Sequence, residues 1–449
     1  MTVARAKNWY HYVTAGLTFC ILLLGSGFRA TPGILTVQLE KESGWSRGVI
    51  AGAISVNTVL NGLLGPFVVS FIDMFGARSV IIFCLVILGG AVLASSVMIV
   101  AQSPVLLYIL WGVCVGVGSS GLATVLGATV ADRWFVEKRS VVIGIFSAAN
   151  AAGSLVFATP VAQIAASFGW RGGVWLVGAA SLALVPVVLI FFANSPSDVG
   201  LRRYGEAAEE EDHKVDIVAR VNAGAQIRAA VASSFSALSK GLRNRDFLLL
   251  AASFAVCGSS TNGLILPHFV PAGIDAGLSE VHAAGMLTAM GALDIVGTLA
   301  SGLLTERFDP RALLFMYYIA RGVALAFLPT AFRLPVKDTG LWPYAVFYGL
   351  DWIATVPPTK KICDELFPGN SSQLFAWVFV AHQIGAAILA AVGGVVRTSE
   401  GTYDNVFYSA AVLCGMAAFA VYFIRSAAAS VATPSVEHAA LPATSLNDA

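Results

Sequence analysis

The residues of this chain that could do chemistry are a few charges placed where charge is costly. In Gly349-Leu350-Asp351-Trp352-Ile353-Ala354-Thr355-Val356-Pro357-Pro358-Thr359 a carboxylate, Asp351, sits near the middle of an apolar run, 341–362, long enough to cross a bilayer. A charge at the centre of a membrane helix costs about 2.5–3.5 kcal/mol on insertion scales, so it marks a functional position by default. The proline pair one to two turns later breaks the backbone ladder. Such a break is tolerated where neighbours or a water-filled cavity satisfy the freed carbonyls. Asp294 and Arg321 fall near the middle of two further apolar runs, at similar depth. Left unpaired, the three charges would cost about 8–10 kcal/mol together on the same scale, so pairing is expected. Two acids and one base leave a negative excess that one proton neutralises. That describes a proton-coupling site, and equally a structural cluster that fixes helix packing.

Arg29 is the buried cation of the N-terminal half. A guanidinium grips a carboxylate through two parallel hydrogen bonds, so Arg29 is a candidate anion ligand; the alternative is that it snorkels to the surface. His268 and His382 could relay protons or bind the anion, or simply pack. Asn57 and Asn61, one turn apart, and Asn150 offer neutral hydrogen bonds to a substrate or between helices. Tyr348, Trp352 and Phe375 could wall an organic substrate or pack against neighbours and lipid.

Membrane spans must position these groups. Of the 449 residues 57% are hydrophobic and 12% charged, and the mean hydropathy is +0.78. Soluble domains carry about 25% charged residues. The chain reads as an all-α membrane protein with twelve spans, at 11–37, 47–72, 79–101, 105–131, 140–165, 172–193, 247–271, 281–305, 312–331, 341–362, 372–396 and 404–425. A net charge of +1 hides an asymmetry. With the N-terminus inside, the large majority of the 27 Lys and Arg lie on its face, and the other face holds Lys41, Arg47, Arg171, Arg333, Lys337 and Arg397. Both termini are therefore expected in the cytoplasm.

Residues 194–246 form one long polar insertion with an acidic run at 206–212. It divides the chain into a six-span unit (1–193), a cytoplasmic loop (194–246), a second six-span unit (247–425) and a tail (426–449) expected to be disordered. The loop reads as a linker with a surface helix or two, or as a regulatory segment without a recognisable motif. The six cysteines are scattered singly, which suits packing rather than metal or redox chemistry. No phosphate-binding loop, metal cluster or nucleophile–base pair is visible, so neither an ATP-driven pump nor an enzyme is expected, and neither a cofactor nor a nucleic-acid partner. The first apolar run is too long for a cleavable signal.

The two units echo each other. Asp73-Met74-Phe75-Gly76-Ala77-Arg78 follows span two, and Glu306-Arg307-Phe308-Asp309-Pro310-Arg311 follows span eight. Aligning Asp73 with Glu306 places Arg78 on Arg311. This resembles the loop signature of the major facilitator superfamily, with Met74 where a base is usual and Asp309 where glycine is usual. The resemblance implies two pseudo-symmetric six-helix bundles rocking about a midplane site, latched on the cytoplasmic side through Asp73, Gly76, Arg78, Glu306, Arg307 and Arg311. It also implies that span nine lies away from the cavity, which favours Arg321 as a structural partner.

Further stretches narrow the likeness: Gly27-Phe28-Arg29-Ala30-Thr31-Pro32-Gly33, Gly44-Trp45-Ser46-Arg47, Arg133-Trp134-Phe135-Val136-Glu137-Lys138-Arg139, Gly169-Trp170-Arg171 and Asn194-Ser195-Pro196-Ser197-Asp198-Val199-Gly200-Leu201. Together they resemble bacterial monocarboxylate porters and oxalate–formate antiporters. Those antiporters are expected to carry a base in spans eight and eleven, where this chain offers Asp294 and His382. Animal-type carriers pair an Asp with an Arg one turn on in span eight, where this chain has Thr298. The resemblance implies proton symport of a small organic anion, a monocarboxylate, by a monomer in a bacterial inner membrane. Arg29, Asn57, Asn61, Asn150, Tyr348, Trp352 and His382 would line the substrate path. Asp294, Arg321, Asp351 and His268 would serve proton coupling. Anion exchange, drug or cation efflux, and a transport-dead sensor signalling through its loop are the alternatives.

Overall fold

The computed structural model describes residues 9–29, 31–97, 103–206, 223–334, 340–368 and 371–425; among these, regular structure is helical and no strand forms. The acidic run beyond Glu206 and the tail at 426–449 lie outside the described residues. Twelve helical spans result: α1 (Trp9–Ser43), α2 (Arg47–Phe75), α3 (Ala77–Ala94), α4 (104–134), α5 (139–168), α6 (Trp170–Phe191), α7 (Arg245–Asp275), α8 (Glu280–Arg307), α9 (Pro310–Arg333), α10 (342–366), α11 (Ser371–Glu400) and α12 (Asp404–Tyr422). Among the described residues nine helices are individually long and apolar enough to cross a membrane. The remaining spans, α4, α5 and α10, are each broken into shorter pieces and cross as the sum of their parts.

The breaks recur at matching places in the two halves. α1 is interrupted at Phe28 and Arg29, and its counterpart α7 passes through a π-helical turn, Ser259–Ile265. α4 unwinds over 121–123, and its counterpart α10 unwinds over 352–355, each about a dozen residues before the end of the span. Pro32 sits at the second position of the second helical piece of α1, Thr31–Ser43, where its missing N–H costs nothing. Irregular backbone at membrane depth persists only where it lines a cavity or is buried in protein.

α10 shows how such a break is held. Pro357 and Pro358 donate no backbone hydrogen bond, so the carbonyls of Ile353 and Ala354 lose their helical donors; Ile353 accepts from the Val356 N–H at 2.9 Å instead, and the turn before it unwinds. Arg321 on α9 donates from Nη2 to the carbonyls of Asp351 at 2.5 Å and Trp352 at 2.9 Å. The Ser301 hydroxyl on α8 donates to the carbonyl of Ala354 at 2.5 Å. The freed N–H of Ile353 donates to Oδ1 of Asp294, also on α8, at 2.8 Å. α8 reaches this close because Gly297 faces α10: a Cβ there would lie 1.8 Å from the carbonyl oxygen of Leu350. A single larger residue would push the two backbones apart.

The halves meet mainly through α2 on α11, α5 on α8, and the C-terminal part of α1 on that of α7. At the first of these, a Cβ on Gly62 would lie 2.6 Å from Cβ of Gln383. A helix in the central loop, Ala223–Leu242, packs on α7 and α11, with Phe235 against Trp377 at 5.6 Å between ring centroids. Beyond α6 the chain turns back beneath its own half, where Tyr204 bonds to the backbone of Trp134 and Val136.

Replacing Arg321 with Met should cost about 3–5 kcal/mol, because it strands the Asp351 carboxylate and two carbonyls. The purified variant should show a large fall in thermal unfolding temperature in detergent. Arg321→Lys, which keeps the charge without the planar fork, should fall in between.

Candidate functional site

A narrow cavity lies between the halves at mid-depth. α1 contributes Phe28, Arg29 and Pro32; α2 contributes Ile54, Asn57, Thr58 and Asn61; α4 contributes Trp111. From the second half come Asn262, Leu266 and Pro267 of α7 and Gln383 of α11. Both interrupted helices, α1 and α7, thus open onto it. Arg29 is the charged residue of this lining, set at the break of α1 among neutral amides and apolar walls. A fixed positive charge in a low-dielectric recess selects for an anion, and the amides select for hydrogen-bonding groups beside it.

The amides are already organised. Asn57 donates from Nδ2 to the carbonyl of Trp111 at 3.0 Å, and Asn61 donates from Nδ2 to Oγ of Ser119 at 3.1 Å. Gln383 donates from Nε2 to Oδ1 of Asn61 at 3.2 Å, across the boundary between the halves. Oε1 of Gln383 lies 3.0 Å from Nδ1 of His382. The ring of His382 stacks on Phe379 at 5.3 Å and sits against Phe254 at 4.9 Å. His382 therefore stands behind the cavity lining, linked to it through Gln383. Asn150 lies on α5, and its side chain is outside the described set.

The second-half charges gather in the protein interior. Arg321 is fully buried, Asp294 is 2% exposed and Asp351 6%. Nε of Arg321 donates to Oδ2 of Asp351 at 2.7 Å, and Nη1 donates to Sγ of Cys257 at 3.1 Å. Oδ1 of Asp351 is buried without a hydrogen-bond partner. Asp294 accepts from neutral donors, the Ile353 N–H and the Thr298 hydroxyl at 3.1 Å. The guanidinium thus goes to Asp351, and Asp294 holds the broken backbone. Tyr348 is buried and donates to the carbonyl of Ser260 at 2.8 Å, and Trp352 packs edge-on against it, so both stand in the packed interior apart from the cavity lining. Phe375 packs on Phe254. His268 is buried near the far end of α7, bonded through Nε2 to the carbonyl of Ala390 at 2.9 Å and against Tyr403.

The repeated loops sit on the face that carries the chain's described ends. Arg78 donates to the carbonyl of Leu189, and its backbone N–H to Oδ1 of Asn194 at 2.8 Å. Gly76 has φ +81°, and a Cβ there would come within 2.7 Å of the same Asn194 oxygen. Arg311 donates to Glu365 at 3.1 Å and to the carbonyl of Arg425 at 2.9 Å. These bonds stay within one half each. Glu306 and Arg307 are exposed, and the Asp73 side chain is outside the described set.

Sequence reasoning did not single out Thr58, Trp111, Asn262 or Gln383 as lining. The polar run Ser259-Ser260-Thr261-Asn262 inside an otherwise apolar span was the available signal for α7. Trp111 and Gln383 carried no such signal, because they are reached only once α2 is packed on α4 and α11.

A chain-wide likeness accompanies this geometry. The protein is 23% identical over 400 residues to the uncharacterized MFS-type transporter YcxA of Bacillus subtilis, covering 88% of this chain and 90% of that protein. It is 24% identical over 369 residues to monocarboxylate transporter 12-B of Danio rerio, covering 76% of this chain and 73% of that one. Its fold superposes on a D-xylose-proton symporter with a TM-score of 0.70 at 13% identity, covering 93% of this chain and 99% of that one. It superposes on the inward-open xylose transporter XylE of E. coli with a TM-score of 0.68 at 13% identity, covering 92% and 96%. The Major Facilitator Superfamily profile matches residues 17–368. With twelve spans in two matching halves around a central cavity, this chain belongs to the major facilitator superfamily and is a multi-pass membrane transporter, not an enzyme.

Proposed function

We propose that the protein carries a small organic monocarboxylate by proton symport, alternating access between the two faces of a bacterial inner membrane with both termini in the cytoplasm. The observation that carries this reading is Arg29 at the break of α1, lining a cavity otherwise made of neutral side chains. A cation carrier needs an acid at that place. The monocarboxylate transporters among the relatives favour the same substrate class. Positive residues crowd the face of the termini, which favours the cytoplasm for that face.

The proton belongs to the second half. Asp294 and Asp351 lie deep in the interior beside one guanidinium, and one oxygen of Asp351 has no hydrogen-bond partner. A net negative charge at that depth is costly, and one proton removes it. In this reading Arg29 and the amides hold the anion, Asp294, which accepts from neutral donors, takes the proton, Asp351 shares in the coupling through its pair with Arg321, and Arg321 keeps the geometry. Rocking of the halves then moves both together.

Uptake of labelled small monocarboxylates into proteoliposomes should become concentrative under an inward proton gradient. Uptake that needs preloaded internal anion and ignores the gradient would make the protein an exchanger. Arg29→Ala should lower uptake roughly tenfold or more, the loss of a charge-assisted hydrogen-bond pair, with Arg29→Lys intermediate. Asp294→Asn should abolish gradient-driven accumulation while counterflow between internal and external anion persists.

A further inference from the structure

On the face opposite the termini one guanidinium joins the halves. Arg47 opens α2, and its side chain is 4% exposed. Its Nη1 and Nη2 donate to the two carboxylate oxygens of Asp275, at the end of α7 in the other half, at 2.5 and 2.7 Å. Its Nε donates to Glu40 on α1, in its own half, at 2.8 Å. Asp275 in turn accepts from Nε of Arg397 on α11, in its own half, at 2.8 Å. Nη1 of Arg47 also reaches the hydroxyl of Tyr403 at 3.2 Å. Packing is close here: a Cβ on Gly394 of α11 would lie 2.7 Å from the carbonyl oxygen of Arg47.

We propose that Arg47 and Asp275 form a clasp that closes this face and is built to part. Separating a buried ion pair ordinarily strands a charge away from water, which makes such pairs hard to open. Here neither charge is stranded. When the halves separate, Arg47 leaves with Glu40 and Asp275 stays with Arg397. The bidentate fork sets the register of closure, and the in-house partners keep the open state accessible. The Gln38 contact with Glu280 at 2.6 Å and the Gly48 N–H bond to Thr398 at 3.1 Å cross the same seam and part with it. Glu40 therefore acts as a positioning residue with an effect opposite in sign to that of Asp275. Losing Asp275 removes the clasp, and losing Glu40 removes the fall-back of the open state.

Hydrogen–deuterium exchange of the full-length protein in lipid nanodiscs, read by mass spectrometry, registers rare openings in either direction. The informative peptides cover 31–43 and 280–290 at this seam; peptides from 245–258 report the other face. Asp275→Asn should speed exchange at the seam roughly tenfold and slow it on the other face, and Glu40→Gln should slow the seam by a similar factor. Unchanged seam exchange in Asp275→Asn overturns the clasp. Faster exchange on both faces also overturns it, because the pair would then only stabilise the fold. Seam exchange that quickens or stays level in Glu40→Gln overturns the fall-back role.

Discussion

The bonding of Arg321 to the unwound middle of α10 is the interaction on which the second half rests. Two consecutive prolines at membrane depth remove donors that no water replaces, and each unmet carbonyl in hydrocarbon costs several kcal/mol, roughly as much as a lost helix turn gains. The Ile353 and Ala354 carbonyls that the prolines leave are taken by the Val356 N–H and the Ser301 hydroxyl, and one guanidinium answers the two carbonyls before them, of Asp351 and Trp352, together with the adjacent carboxylate. A lysine would have neither the reach nor the planar fork. The same carboxylate keeps the guanidinium neutralised, so the break, the base and the acid are one structural unit. Asp294 completes it from the other side by taking the Ile353 N–H.

The first half breaks its cavity-lining span α1 in another way. Its break in α1 is made with glycines and one proline at a position where a proline is harmless, and its cation lines the cavity. The two halves share an architecture of interrupted spans, yet one interruption is closed with charge and the other is open to the transport path. That asymmetry separates the anion from the proton: the fixed positive charge stands in the first half, and the titratable negative excess lies in the second.

The membrane spans were legible because composition and length fix them: about 20 apolar residues cross a bilayer, whatever packs beside them. Asp351, Asp294 and Arg321 were legible as a group for the same reason, since charge at that depth demands partners. Which acid takes the arginine was not legible. It depends on the unwinding at 352–355, which turns two carbonyls toward α9 and one N–H toward α8. Arg47 and Asp275 were hidden because both sit at span ends, where a charge looks merely topological. Their pairing follows from the crossing of α2 with α7 and α11, a tertiary fact. Tyr348, Trp352 and His382 looked like cavity residues from their depth alone, but depth does not fix which way a helix faces. Their faces are set by the contacts of α10 with α8 and of α11 with α7.

Contacts between the halves differ in kind with distance from the surface. At the cavity the crossing bond is neutral, Gln383 to Asn61 at 3.2 Å, worth about 1 kcal/mol, and it is the middle link of a chain running from His382 to Ser119. At the face opposite the termini the crossing bond is ionic and bidentate. A contact that must break in every cycle has to leave both sides satisfied. At mid-depth a weak neutral bond serves: Asn61 keeps Ser119 and Gln383 keeps His382 through their other amide atoms, and the two atoms that part belong to side chains lining the cavity. At the rim Glu40 and Arg397 remain as partners, so a stronger bond is admissible. The polarity of each contact follows from what remains beside it when the halves move apart.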